Sequence, residues 1–159
     1  MLLVLDTNIY IFGFGLSTKP SCEQLLDALI STSSLCSIRI PRLIVEEVRR
    51  NLAPEYFKEF ISFVTDIVYV DEDLVVPFEL GSKYEFMGLK PADAFIAAYT
   101  EWVGADALVT ENRHFLSQNP NLPFPSSMRK CNTWRNSLIA GTLGGYEKRI
   151  QAHQFSGEG

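Results

Sequence analysis

Compact, strand-sized apolar runs alternate with longer stretches of helical period, and this alternation limits what the chain can fold into. Residues 1–5 (MLLVL), 35–40 (LCSIRI), 66–70 (DIVYV) and 106–110 (DALVT) are such runs, the first of them continuous in the manner of a parallel strand buried on both faces. Between them, residues 21–31 carry Cys22, Leu25, Leu26 and Leu29 at helical spacing, and residues 41–52 and the stretch EYFKEFISFVT after Pro54 predict two more helices. Asp71, Glu72 and Asp73 suit the opening turn of a further helix reaching Tyr84 or Phe86, because carboxylates favour a helix amino terminus. Gly88 and Pro91 separate it from ADAFIAAYTEWV, where Ala92, Phe95, Ile96, Tyr99, Trp102 and Val103 form one stripe. A short helix is expected around residues 113–118. Strands alternating with helices predict an α/β fold, a parallel sheet with helices on both faces.

At 159 residues, with 47% hydrophobic and 21% charged side chains, the chain is sized for one domain with a real core. The apolar amino-terminal run lacks a basic lead and a small-residue cleavage site, and Asp6 interrupts it far short of a membrane span, so neither export nor membrane anchoring is expected. Cys22, Cys36 and Cys131 are odd in number and widely separated, which fits neither a disulfide framework nor zinc-ligand spacing. A cytoplasmic location is the resulting expectation. The formal net charge of −5 advertises no long-range attraction to polyanions. A nucleic-acid ligand would need local basic groups or bound cations.

Ligands of parallel α/β sheets bind beyond the carboxyl ends of the strands, so acids that follow the apolar runs stand apart from the rest. Asp6 follows the first run, and two readings stand side by side: a helix or turn cap made with Thr7 and Asn8, or a carboxylate aimed at a ligand. Glu46 has Arg42 four residues before it and Arg50 four after, the arrangement of a solvated ion-pair face. Glu47 instead borders the apolar stripe of its helix, where it is either exposed at the helix edge or needs a partner such as a metal. Asp93 falls in the first turn of its helix, where it either complements the helix dipole or joins the same cluster. Thr110, Glu111, Asn112, Arg113 and His114 follow the last run, whereas Asp106 precedes it and belongs at the opposite sheet edge. Oxygen ligands of this kind suit Mg²⁺ or Mn²⁺ rather than zinc, since His114 and His153 share no metal-binding spacing.

With these segments in order, the chain from Leu2 to about Phe124 resembles a PIN-domain protein, the nuclease family that includes VapC-type toxins. VLDTN, IPRLIVEEVRRNL, GLKPADAFIAA and DALVTENRHF carry the resemblance through their order and spacing. It implies a three-layer α/β/α fold around a mainly parallel sheet of four or five strands, with a nuclease domain over residues 1–125. Residues 126–159 are then an extension packed on the same domain, with a frayed end. The resemblance implies that Asp6, Glu47 and Asp93 hold Mg²⁺ or Mn²⁺, with Asn112 where many relatives carry a fourth acid. An asparagine there coordinates through its amide oxygen or a water but supplies no charge, and Glu111 is the neighbour placed to compensate. Thr7, Asn8 and Thr110 become supports that orient carboxylates or bind a phosphate, with Arg113 among the candidate phosphate contacts. His114 is either a surface histidine or a contact to a nucleic-acid backbone.

The implied activity is metal-dependent hydrolysis of RNA phosphodiester bonds, leaving 5′-phosphate and 3′-hydroxyl ends, in the manner of the toxin of a toxin–antitoxin pair. The implied partners are an RNA substrate, a small antitoxin and a second copy of the chain. Arg49, Arg50, Arg113, Arg129, Lys130 and Arg135 are candidates to position phosphates. Two rivals are weighed against this reading. A haloacid-dehalogenase-type phosphotransfer domain needs a second acid two positions after the first, where this chain has Asn8. A catalytically weakened PIN-like module that binds nucleic acid or protein is the more serious rival, because of Asn112.

Overall fold

The computed structural model describes residues 1–72, 76–112 and 128–129. Five strands form one parallel sheet: β1 (Leu2–Leu5), β2 (Ser37–Pro41), β3 (Val68–Asp71), β4 (Ala107–Val109) and β5 (Met128–Arg129). Their spatial order is β3-β2-β1-β4-β5. Leu3, Val4 and Leu5 are fully buried between Ile38 of β2 and the β4 residues Ala107–Val109, so the first strand is central and apolar on both faces.

Six helices among the described residues fill the crossovers. These are α1 (Thr7–Phe14), α2 (Pro20–Ser31), α3 (Arg42–Asn51), α4 (Pro54–Ile67), α5 (Phe78–Phe86) and α6 (Pro91–Trp102). Pro20, Pro54 and Pro91 each occupy the first helical position, where a missing N–H costs nothing and the fixed φ favours the helix. Gly88 and Gly104, at φ 93° and 64°, supply the left-handed turns after α5 and α6.

From β1 the chain winds outward through β2 to β3, then crosses back to place β4 on the other side of β1. Parallel crossovers are right-handed, so this reversal puts α5 and α6 on the opposite face from α1 to α4. The packing agrees: α1 contacts α2, α3 and α4, whereas α6 contacts α5 and β4. The result is a three-layer α/β/α fold, as the sequence predicts, whose topological switch point lies between the carboxyl ends of β1 and β4.

Four local expectations need correction. The acidic stretch at 71–72 opens no helix, because Asp71 ends β3 and is gripped by Arg39 and Tyr99; α5 starts later, at Phe78. Asp66 and Ile67 belong to the last turn of α4, so β3 begins at Val68. Ala92 and Trp102 lie exposed on α6, while Ala94, Ala97 and Ala98 are buried, since α6 is covered by both α5 and β4 and buries two faces. Helix α1 has no counterpart in the periodicity reading: its apolar residues run almost without interruption, so no helical stripe stands out. The helix expected around 113–118 lies outside the described residues.

Candidate metal and phosphate site

Asp6, Glu47 and Asp93 come from three separate elements and line one cleft of about 280 Å³ at the switch point. Asn8, Arg50, Asn51 and Asn112 line it too. Strand β1 delivers Asp6, whose amide donates to the Val109 carbonyl at 2.9 Å and so continues the ladder with β4. Glu47 stands on the half-buried flank of α3, beside Val48, which is fully buried. Asp93 sits in the first turn of α6. Asp106 is at the other end of the sheet, where it accepts from the Leu2 amide at 2.7 Å.

Asp6 occupies the N-cap position of α1, yet its side chain makes no capping hydrogen bond. It accepts instead from the Thr110 hydroxyl at 2.6 Å, so its side chain does not cap α1. Thr110 is fully buried and its oxygen also accepts from the Asn112 amide at 2.9 Å, so one hydroxyl joins the turn after β4 to the acid after β1. Thr7 donates to Glu47 Oε2 at 2.6 Å, and Asn112 Nδ2 donates to Asp93 Oδ1 at 3.2 Å. Each acid is thus held by a neutral donor. An acid at position 112 would repel Asp93; the amide tethers it.

The electrostatics of Asp6 are unfavourable for an anion. Burial raises its pKa from 3.8 to about 6, and the charges of Asp93 and Glu47 add to the rise, while the Thr110 hydroxyl and the Thr7 amide offset part of it. Among the described residues neither Asp6 nor Glu47 forms an ion pair. No three His, Cys, Asp or Glu side chains among them are drawn together into a finished metal cage. The donor set nevertheless fits a hard cation: three carboxylates face one cleft, and the most buried of them lacks compensating positive charge.

Glu111 is not among the residues lining the cleft; it pairs with Lys19 at 3.1 Å, and Lys19 lies over the Phe12 ring. Glu46 takes the predicted surface role, with Arg42 at 3.3 Å and Arg50 at 3.7 Å. Arg113 and His114 fall outside the described residues. Sequence reasoning missed Asn51 and Ile11 as cleft residues, although Asn51 is one helical turn after Glu47 and bonds its carbonyl at 2.8 Å.

No family model matches the chain, and no curated protein matches it in sequence. Solved structures do match in three dimensions. VapBC2 from Rickettsia felis, bound to a DNA fragment from its promoter, aligns at 20% identity with a TM-score of 0.56, over 82% of this chain and 98% of that one. PAE2754 from Pyrobaculum aerophilum aligns at 20% identity with a TM-score of 0.55, over 87% and 89%. Both are PIN-type structures. The fold is PIN-like. In a PIN-like frame the crevice beyond β1 and β4 is where the topology predicts a ligand, and the three carboxylates are found there. No helix among the described residues is long and apolar enough to cross a membrane.

Proposed function

We propose that this protein is a divalent-metal-dependent endoribonuclease, with Asp6, Glu47 and Asp93 as the residues that hold Mg²⁺ or Mn²⁺. The observation that carries the reading is the convergence of these acids on one cleft, with Asp6 buried and in no ion pair among the described residues. A bound cation would accept a phosphate oxygen as a ligand, lower the pKa of an attacking water and stabilise charge as the phosphodiester is displaced. The chain's own part is to hold the carboxylates: Thr110 orients Asp6, Thr7 orients Glu47 and Asn112 orients Asp93. Asn8 lines the same cleft and would be a polar neighbour to a phosphate bound there. In this reading Asn112 positions Asp93 and contributes no charge.

The PIN-like fold supports a role as the toxin of a toxin–antitoxin pair, acting in the cytoplasm with a small antitoxin and a second copy of the chain as partners. Buried free thiols at Cys22 and Cys36 suit a reducing compartment. The rival reading, a PIN-like binding module with a weakened site, draws on the missing fourth acid.

Calorimetric titration with Mn²⁺ and cleavage of single-stranded and structured RNAs separate the two readings, with Asp6→Asn and Asp93→Asn as controls. The nuclease reading expects Mn²⁺ binding and cleavage in the wild type and loss of both in the variants. A folded wild type that binds RNA but neither binds Mn²⁺ nor cuts would establish the binding module. Equal activity in all three proteins would point to a contaminant.

A further inference from the structure

Arg50 stands where the acidic cleft meets a second, larger groove. On α3 it lies three residues after Glu47 and four after Glu46, so it sits between the stripe that faces the carboxylates and the stripe that faces solvent. It lines the cleft of Asp6, Glu47 and Asp93, where it is the one basic side chain among the described lining residues. It also lines the neighbouring groove of about 630 Å³ between α3 and α4, together with Arg49. Its described ion pair, with Glu46, is long at 3.7 Å, and the two side chains are 67% and 50% exposed. Such a pair holds its partners weakly, so the guanidinium is available to another anion at little cost.

Resting on the nuclease reading above, we infer that Arg50 binds the phosphate next to the scissile one and so sets where the RNA strand leaves the cleft. The charge logic requires such a group. Three carboxylates neutralised by a divalent cation still leave the cleft negative, and a polyanion entering it gains from a cation at the rim. A planar guanidinium grips a phosphate through two parallel N–H bonds, and the α3 backbone roots it one helical turn from Glu47. Arg50 therefore contributes binding and register, while the acids contribute the chemistry.

The test measures binding of a short fluorescein-labelled single-stranded RNA of mixed sequence by anisotropy, with Ca²⁺ in place of Mn²⁺ to limit cleavage. Wild type, Arg50→Ala, Arg50→Lys and Arg49→Ala are compared across a salt series, with Mn²⁺ affinity measured in parallel. Arg50→Ala is expected to weaken RNA binding roughly tenfold and to flatten the salt slope by about 1, with Mn²⁺ binding retained. Arg50→Lys is expected to recover part of the affinity, and Arg49→Ala, whose side chain lines the groove and is not among the described lining of the cleft, to change it far less. In cleavage assays the loss in Arg50→Ala should fall on KM rather than kcat. If Arg50→Ala binds RNA with wild-type affinity and salt slope while wild type binds both Mn²⁺ and RNA, the role of Arg50 is wrong and the nuclease reading stands. A wild type that binds neither overturns both.

Discussion

Asp6 and Asp71 are the same residue type at the same edge of one sheet, and the chain treats them in opposite ways. Both stand at the carboxyl end of a parallel strand, and both are buried, 3% and 9% exposed. Burial works against ionisation of Asp71, but the Arg39 guanidinium, at 2.6 and 2.8 Å, and the Tyr99 hydroxyl, at 2.6 Å, outweigh it and hold its pKa below the ordinary value. At Asp6 burial wins, helped by two neighbouring carboxylates. Asp71 has its counter-charge built into the fold. Asp6 has a hydroxyl and an amide, and among the described residues no cation pairs with it. An acid that the chain leaves uncompensated at a topological switch point is a stronger pointer to ligand chemistry than acidity itself.

The largest effect should separate the two acids by activity. Asp6→Asn or Asp93→Asn is expected to reduce metal-dependent RNA cleavage by at least about a hundredfold, since even the outer partners of metal ligands carry effects of 10- to 100-fold. Asp71→Asn should leave kcat near wild type and instead destabilise the protein by about 2 kcal/mol, because Arg39 loses its partner while remaining one-third exposed. Cleavage rates and urea melts on the three variants read both quantities. Substantial activity loss in a well-folded Asp71→Asn would end the distinction between a structural and a functional acid.

The pH dependence of stability should also run in opposite directions. Asp6 binds its proton more tightly in the folded than in the unfolded chain, so its charge penalises folding fully above pH 6 and not at all well below pH 3.8. Between those limits metal-free stability should fall as pH rises, by about 3 kcal/mol from this group. Asp71, with a lowered pKa, contributes stability that is present above the ordinary carboxylate range and lost as pH falls through its folded value. Asp6→Asn should therefore raise metal-free stability at pH 7 relative to pH 4, and Asp71→Asn should weaken the acid-side loss. Urea midpoints across this range check both signs; an Asp6→Asn profile parallel to wild type would refute the assignment.

Position 112 sharpens the comparison on a smaller scale. Asn112→Asp replaces a hydrogen bond to Asp93 with like-charge repulsion, so the metal-free protein should lose about 1–2 kcal/mol. The same change adds a charged oxygen beside the cleft and should tighten Mn²⁺ binding. Thermal melts with and without Mn²⁺ would show the two effects with opposite sign. A variant unchanged in both states would remove Asn112 from the site.

The parallel sheet and the edge that carries the candidate site were legible because unbroken apolar runs ending in Asp6 and Thr110 are a direct imprint of central strands. Glu47 was separable from Glu46 because helical geometry assigns adjacent residues to different faces. What stayed illegible depends on contacts distant in sequence. The counter-charge of Asp71 comes from Arg39 and Tyr99, 32 and 28 residues away, so a lone acidic stretch looked like a helix start. Glu111 looked like a substitute ligand until Lys19, 92 residues away, claimed it. Spacing within one element is printed in the sequence, whereas pairing between elements appears only once they are packed.

The hydroxyls beside the two acids provide the finest contrast. Thr110→Val removes the donor to Asp6 and the acceptor for the Asn112 amide while conserving shape, in a fully buried position. Losing these bonds should cost about 1–2 kcal/mol. It should also weaken Mn²⁺ binding by roughly tenfold, because Asp6 loses the group that orients it. Tyr99→Phe removes one of three bonds to Asp71 and leaves the Arg39 fork in place, so about 1 kcal/mol of stability should go with no change in Mn²⁺ affinity. The two variants delete one hydroxyl each from two buried aspartates. Only the one beside the acid that has no cation among the described residues should be felt by the metal, and equal Mn²⁺ affinities in the two variants would mean that Asp6 is compensated by some other group.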